Sequence, residues 1–197
     1  GWREYIRGVY LMTPDYHKKN KLNHYLKLPN FYWTGNTELN CLSHTIHETI
    51  SNSYNHHIQR LMILSNYANL IGVAPKEVND WFNTMYVDSF DWVVTPNVMG
   101  MGLYADGGQM STKPYISGAS YIKKMSNYCE DCKYDPTIKT GEKACPFNSL
   151  YWHFIDTHKD NLKNNPRMSM MLNLHHKMDK DLKTSYKKQA KKHIESI

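Results

Sequence analysis

Long apolar runs are missing from this chain. Nowhere in its 197 residues does an uninterrupted hydrophobic stretch approach the roughly 20 that a membrane-spanning helix needs, so no membrane partner is expected. Period-two alternation of apolar and polar residues is nowhere convincing, which removes a β-sheet as the organising element. Internal repeats and low-complexity tracts are also lacking. No secretory leader is visible, and the chain opens on Gly1-Trp2-Arg3 without an initiating Met, so it reads as a piece of a longer protein. Cysteine is scarce, with four in all. Without a leader, these four point to a reducing compartment, with the cytoplasm the expected location. They favour metal or cluster ligation over disulfides.

What remains is ordinary for a globular chain: 41% hydrophobic and 21% charged residues. The length suits one domain, residues 1–197, with a substantial core. The formal net charge is +6 and the pI is near 9.0, which favours a polyanionic partner such as nucleic acid. A solvated polar helix face explains part of that excess, because Lys183, Lys187, Lys188, Lys191 and Lys192 crowd one late segment.

Apolar periodicity predicts helices throughout. Trp2, Tyr5, Ile6, Val9 and Tyr10 mark the first, stopped by Pro14. Residues 17–30 read as a connecting loop. Further helices are expected over 39–52, 55–70 and from Pro75 to about residue 88, with Pro75 in the first turn. The stretch 91–113 holds four glycines and a proline and reads as an ordered loop. A short helix over 121–128, a polar hairpin-like loop over 132–145, a helix over 148–161 and a final helical stretch from Pro166 complete an all-α chain.

Three cysteines, Cys129, Cys132 and Cys145, fall within 17 residues, and Cys41 lies 88 positions upstream. Zinc sites draw their thiolates mostly from two close pairs, whereas iron–sulfur clusters accept lone distal ligands and a Cys followed by Pro. One lone Cys, a CxxC and a Cys-Pro therefore favour a [4Fe–4S] cluster, with zinc and unligated thiols as alternatives. His56 and His57 open a helix about 100° apart, so they cannot share one stripe. One can line a pocket while the other packs. His44, His47, His175 and His176 read as surface or core histidines. Trp33 and Trp81 read first as core aromatics. The segment 88–102 sets carboxylates and an amide beside flexible glycines, which suits polar recognition of a cofactor rim.

Several of these stretches coincide with one family. Trp2-Arg3-Glu4-Tyr5 resembles the W-R-E-F element of the photolyase/cryptochrome catalytic domain. The segment Asn55-His56-His57-Ile58-Gln59-Arg60-Leu61-Met62 resembles its H-N-R-x-R-M region. Asp88 to Gly100, Ala105-Asp106-Gly107-Gly108 and Thr112 to Gly118 are similar to the iron–sulfur branch, the prokaryotic (6-4) photolyases and bacterial cryptochromes. That branch's lone Cys, CxxC and Cys-Pro match in order and spacing.

The resemblance implies the helical FAD-binding domain of that family, stapled by a [4Fe–4S] cluster on Cys41, Cys129, Cys132 and Cys145, in a prokaryotic cytoplasm. His57 would be the histidine beside the lesion, with His56 its neighbour, and Tyr115, Tyr121 and Lys113 would lie near the lesion or DNA. Arg60, Asp88, Asp91 and Asn97 would approach the flavin, while Trp81 and Trp33 would relay electrons to it. Phe82 stands where relatives often carry a tyrosine, and phenylalanine cannot form a tyrosyl radical. The family's antenna domain, with its lumazine, is not in this sequence. The implied activity is light-driven repair of (6-4) photoproducts in UV-damaged DNA. Two rival readings stand beside it: a signalling cryptochrome without repair, and a non-enzymatic iron–sulfur nucleic-acid-binding module.

Overall fold

The computed structural model describes residues 1–197 and holds helices, turns and two isolated bridges, with no strand. The all-α expectation therefore holds, and no helix is long and apolar enough to cross a membrane. The helices are α1 (Trp2–Met12), α2 (Phe31–Thr34), α3 (Asn40–Asn52), α4 (His57–Gln59), α5 (Asn66–Ile71) and α6 (Pro75–Met85). They continue as α7 (Asp91–Thr95), α8 (Ala119–Met125), α9 (Pro146–Leu162), α10 (Ser169–Lys177) and α11 (Lys180–Glu195).

Helix α9 is the central element. Its Phe147, Leu150, Phe154 and Ile155 are fully buried, and it packs against α5, α8, α10 and α11. The fully buried Trp81, Tyr32, Tyr67, Leu42 and Ile46 extend the same core toward α3 and α6. A smaller apolar cluster of Ile6, Val9, Tyr16, Met99, Ala105 and Met110 fastens α1 to the rest. Trp2 and Tyr5, expected on the buried face of α1, are instead about half exposed, at 50% and 46%.

Two π-helical segments, Arg60–Ser65 and Pro96–Gly102, continue α4 into α5 and extend α7. The second overturns the expected loop. Gly100 and Gly102 read as chain breakers, but close packing is what requires them. A Cβ on Gly100 would stand 2.3 Å from the Tyr16 hydroxyl, and one on Gly102 would stand 2.9 Å from Ser65 Cβ. The latter contact lets the two π-segments press together, and such segments recur at functional sites.

Smaller differences have local causes. Helix α6 stops at Met85, because Tyr86 turns extended and sends its hydroxyl to Asn55 Oδ1 at 2.6 Å. Helix α8 begins and ends earlier than expected, where the Ser126 hydroxyl donates back to Ile122 O. The final helical stretch breaks before Asp179, whose carboxylate caps α11 by accepting from the Asp181 and Leu182 amides.

Beside α9, His24 and His158 are buried with their Nε2 atoms 3.0 Å apart, and His24 Nδ1 has no partner. Burial lowers both from the usual 6.5, His24 to about 3 and His158 to about 4, with neighbouring histidines adding to the effect. Because both folded values lie below the unfolded one, the unfolded chain binds more protons as pH falls. Their contribution is complete above pH ~6.5 and is lost as pH drops toward the folded values. Each histidine is expected to cost about 1.4 kcal/mol per pH unit in that window. Urea unfolding at pH 7 and at pH 5 checks this, and a His24→Leu/His158→Leu double variant should flatten the dependence.

Candidate functional site: a polar-rimmed cleft between two π-helices

The π-segments and the start of α4 enclose a cleft of about 230 Å³. Leu61, Phe82, Val93, Val94 and Val98 supply apolar wall, while Tyr54, Asn55, His57, Arg60, Ser65, Asp88 and Asn97 supply polar groups. His57, Arg60, Asp88 and Asn97, expected in one site, are thus brought together from three segments.

Arg60 is held on every side. Its Nη1 and Nη2 donate to the two Asp88 oxygens at 2.9 and 3.1 Å, and its Nε donates to Asn55 O at 2.9 Å. The guanidinium also lies 4.0 Å over the Tyr86 ring and 5.0 Å from the Tyr54 ring. Such a two-pronged pair keeps the cation oriented, which a lysine in its place would not do. Asn97 turns its amide nitrogen back to Val93 O at 2.7 Å, which leaves the amide oxygen as its acceptor toward the cleft.

His56 and His57 take the different roles their angular separation requires. His56 is the N-cap: its Nδ1 accepts from the Ile58 amide at 3.2 Å, and its own amide donates to Gln59 Oε1 at 2.8 Å. His57 lines the cleft. Partial burial, then His56 and Arg60, hold its pKa below the usual value, so the neutral ring gains at neutral pH.

The other expected residues lie elsewhere. Asp91 is not in the cleft wall; it accepts from the Tyr10 hydroxyl and, at 2.6 Å, from Thr95 Oγ1. Trp81 is fully buried, donates its indole N–H to Tyr32 O at 3.1 Å and stands edge-on to Phe82, which lines the cleft. Trp33 is 47% exposed on α2, and its chain neighbour Tyr32 is the residue that meets the Trp81 ring, at 5.3 Å. Tyr115 and Tyr121 do not line the cleft, and Tyr115 and Lys113 are exposed. Two asparagines clamp their segment. Asn66 pairs with Ser117, and Asn148 accepts the Ala119 amide at 3.0 Å while donating to Pro136 O in the cysteine loop at 3.0 Å.

The cysteines approach one another as free thiols, Cys41 and Cys145 buried, Cys129 and Cys132 half-buried. Burial foremost, and then the other three sulfurs, push the Cys41 thiol far up; burial likewise pushes Cys145 up to about 12. Burial also raises Cys129, with Cys132 adding to it. No set of three His, Cys, Asp or Glu side chains converges where one metal ion would sit. The loop between them is closed by an isolated parallel bridge and not by the antiparallel pairing of the expected hairpin. The Asp135 amide donates to Lys143 O, the Asp135 carbonyl accepts from the Cys145 amide, and Gln189 of α11 pins the loop through both backbone groups of Gly141 at 3.0 Å.

A (6-4) photolyase of Agrobacterium fabrum (strain C58 / ATCC 33970) is 47% identical over 191 residues, 96% of this chain. The chain belongs to the (6-4) photolyase family. It spans 38% of that relative's length. The uncharacterized protein R855 of Acanthamoeba polyphaga mimivirus is 39% identical over 102 residues, 52% of this chain and 76% of that protein. No protein-family model matches the chain.

Within this family member, the polar wall contains more than the expected residues. Asn55 is buried and fully engaged: it accepts from Thr49 and Tyr86 and donates to Thr45 O and Glu48, both at 3.2 Å. Tyr54, Ser65 and Phe82 also face the cleft. Asn55 precedes an adjacent histidine pair, the one available hint that it does more than start a helix.

Proposed function

We propose that this chain forms the flavin- and lesion-facing part of a light-driven (6-4) photolyase acting on UV-damaged DNA. The observation that carries the reading is the cleft that gathers His57, Arg60, Asp88 and Asn97. Arg60, Asp88 and Asn97 would hold a reduced flavin there, and such a flavin would supply the light-driven one-electron chemistry. Arg60, oriented by Asp88, holds positive charge at the cleft edge, and Asn97 offers an acceptor oxygen for a ring N–H. His57 delivers a proton as the lesion's oxygen substituent returns to its original base, a general-acid role. Damaged bases leave the stack at least cost, so a flipped lesion reaches such a pocket more readily than an intact base. The +6 charge supplies phosphate contacts that weaken with salt.

Cys41, Cys129, Cys132 and Cys145 would hold a [4Fe–4S] cluster, and the donor set fits it. Burial favours the neutral thiol at Cys41 and Cys145, and a metal centre is what makes thiolates favourable at such positions. A single tetrahedral zinc draws its sulfurs to about 4 Å from one another, given Zn–S bonds of about 2.3 Å. A [4Fe–4S] cluster takes four thiolates and accepts a lone distal cysteine beside a CxxC and a Cys-Pro, which is the pattern of Cys41, Cys129, Cys132 and Cys145. The cluster's proposed part is to hold the cleft, and a lumazine antenna would belong to a separate domain of the whole protein.

The test uses the complete protein: its visible spectrum, its iron and acid-labile sulfide content, and illumination of a duplex carrying one (6-4) photoproduct. Flavin bands, four irons per chain as in the proposed cluster and light-dependent loss of the lesion are expected. Flavin without repair would favour a signalling cryptochrome. Absence of flavin would favour a nucleic-acid-binding module, and zinc in place of iron would overturn the cluster.

A further inference from the structure

One side chain joins the cysteine loop to the edge of the cleft. Gln59 is half-buried, and its amide is fully used. Its Oε1 accepts the His56 amide at 2.8 Å, and its Nε2 donates to Glu48 Oε2 at 2.7 Å and to the Tyr128 hydroxyl at 3.0 Å. An amide nitrogen carries two hydrogens, so both are spent. The three partners come from α3, the start of α4 and the residue before Cys129.

Each partner is anchored in turn. The Tyr128 carbonyl accepts from Asn40 Nδ2 at 2.9 Å, so the residues preceding Cys41 and Cys129 are bonded to each other, and the Tyr128 ring lies 5.2 Å from that of His44. The Glu48 oxygen that holds Gln59 also accepts from Asn55, whose carbonyl holds Arg60 Nε. Arg60 on the cleft edge therefore depends on the same small network that holds Gln59. His57 has no side-chain hydrogen bond of its own, and α4 is three residues long before the π-segment begins. Its backbone position consequently rests on the cap that Gln59 completes.

We propose that Gln59 is the positioning residue for His57, held in place by Tyr128 and Glu48, and that it transmits the integrity of the cysteine loop to the cleft. This rests on the reading of His57 as proton donor. A misplacement of about 1 Å can cost a hundredfold in rate, so a side chain that sets a catalytic backbone position has room for a large effect.

The experiment compares Gln59→Leu, Tyr128→Phe, Glu48→Gln and His57→Ala in the complete protein. Each is assayed for repair rate at saturating (6-4) duplex, for affinity to that duplex by anisotropy, for flavin absorbance and for iron content. Gln59→Leu is expected to repair about tenfold more slowly with affinity changed less than about twofold, well inside the range a displaced group produces. Tyr128→Phe removes a single hydroxyl and is expected to slow repair several-fold with iron retained, which keeps the test decisive if Gln59→Leu folds poorly. Glu48→Gln keeps an acceptor oxygen but loses the charge that strengthens the bonds from Gln59 and Asn55, so it is expected to slow repair in the same direction as Gln59→Leu but by less. Slow His57→Ala alongside unimpaired Gln59→Leu and Tyr128→Phe would overturn the positioning role alone. Unimpaired repair by His57→Ala would instead overturn the proton-donor reading. Loss of affinity in step with rate would mark Gln59 as a merely structural cap and overturn the inference.

Discussion

Alanine in place of His57, in the complete protein, is expected to lower (6-4) repair by a factor of about 100 to 10,000, the usual contribution of a positioned general acid. Flavin absorbance should remain, because the side chain lies at the exposed edge of the cleft and makes no hydrogen bond that builds it. Arg60, by contrast, is tied to Asn55 and Asp88, so its loss would disturb the wall itself. The sign of the pH dependence follows from His57's depressed pKa. A proton donor must be charged, and burial together with His56 and Arg60 works against that charge. Repair by the unmodified protein should therefore rise as pH falls below the usual histidine range, and that rise should vanish in His57→Ala. The measurement is the quantum yield of lesion loss across pH 5.5 to 8, bracketing the unperturbed value near 6.5. Repair retained in full by His57→Ala would remove it from the chemistry.

His56 shows why two adjacent identical residues can have unlike roles. The helical angle between them foretells that only one reaches the pocket, and the capping box decides which. His57 and Arg60, three apart on one helical run, and Asp88 and Asn97 across the cleft were legible from local pattern joined to the family resemblance. Asp91 lies outside the cleft wall because its carboxylate accepts from Tyr10 and Thr95, partners that local sequence pattern does not reveal. Trp33 illustrates a different limit. Helical spacing places it beside the core, but the neighbouring Tyr32 takes the buried seat against Trp81.

The two π-segments were not legible at all. Their residues have no composition of their own, and Gly100 and Gly102 carry a turn-like signature whose cause is the approach of Tyr16 and Ser65 from far along the chain. The same holds for the Asn55 and Gln59 networks. An asparagine or glutamine looks alike in a sequence whether it is solvated or bonded on every side, and only tertiary packing decides between these states.

Serine at Cys41 is expected to be the most damaging change in the cysteine group. Cys41 is buried on α3 beside Tyr32 and Tyr67, whereas Cys132 sits half-exposed in the loop. A hydroxyl without a partner at the deep position costs about 1–3 kcal/mol on its own, before any lost ligation. A chain of about 200 residues loses roughly 2–4 °C of melting temperature per kcal/mol, so a fall of about 2 °C is the minimum expected. On the proposed ligation the loss is larger, because metal binding is folding free energy for the segments it joins. Iron content and broad visible absorbance should fall together in Cys41→Ser, with Cys132→Ser affected in the same direction but melting higher. The damage should also reach repair: Asn40 and Tyr128 bond each other beside these cysteines, and Tyr128 holds the Gln59 that caps the His57 helix. A Cys41→Ser protein that keeps its melting temperature, holds no iron and repairs normally would break that chain of dependence at its first link.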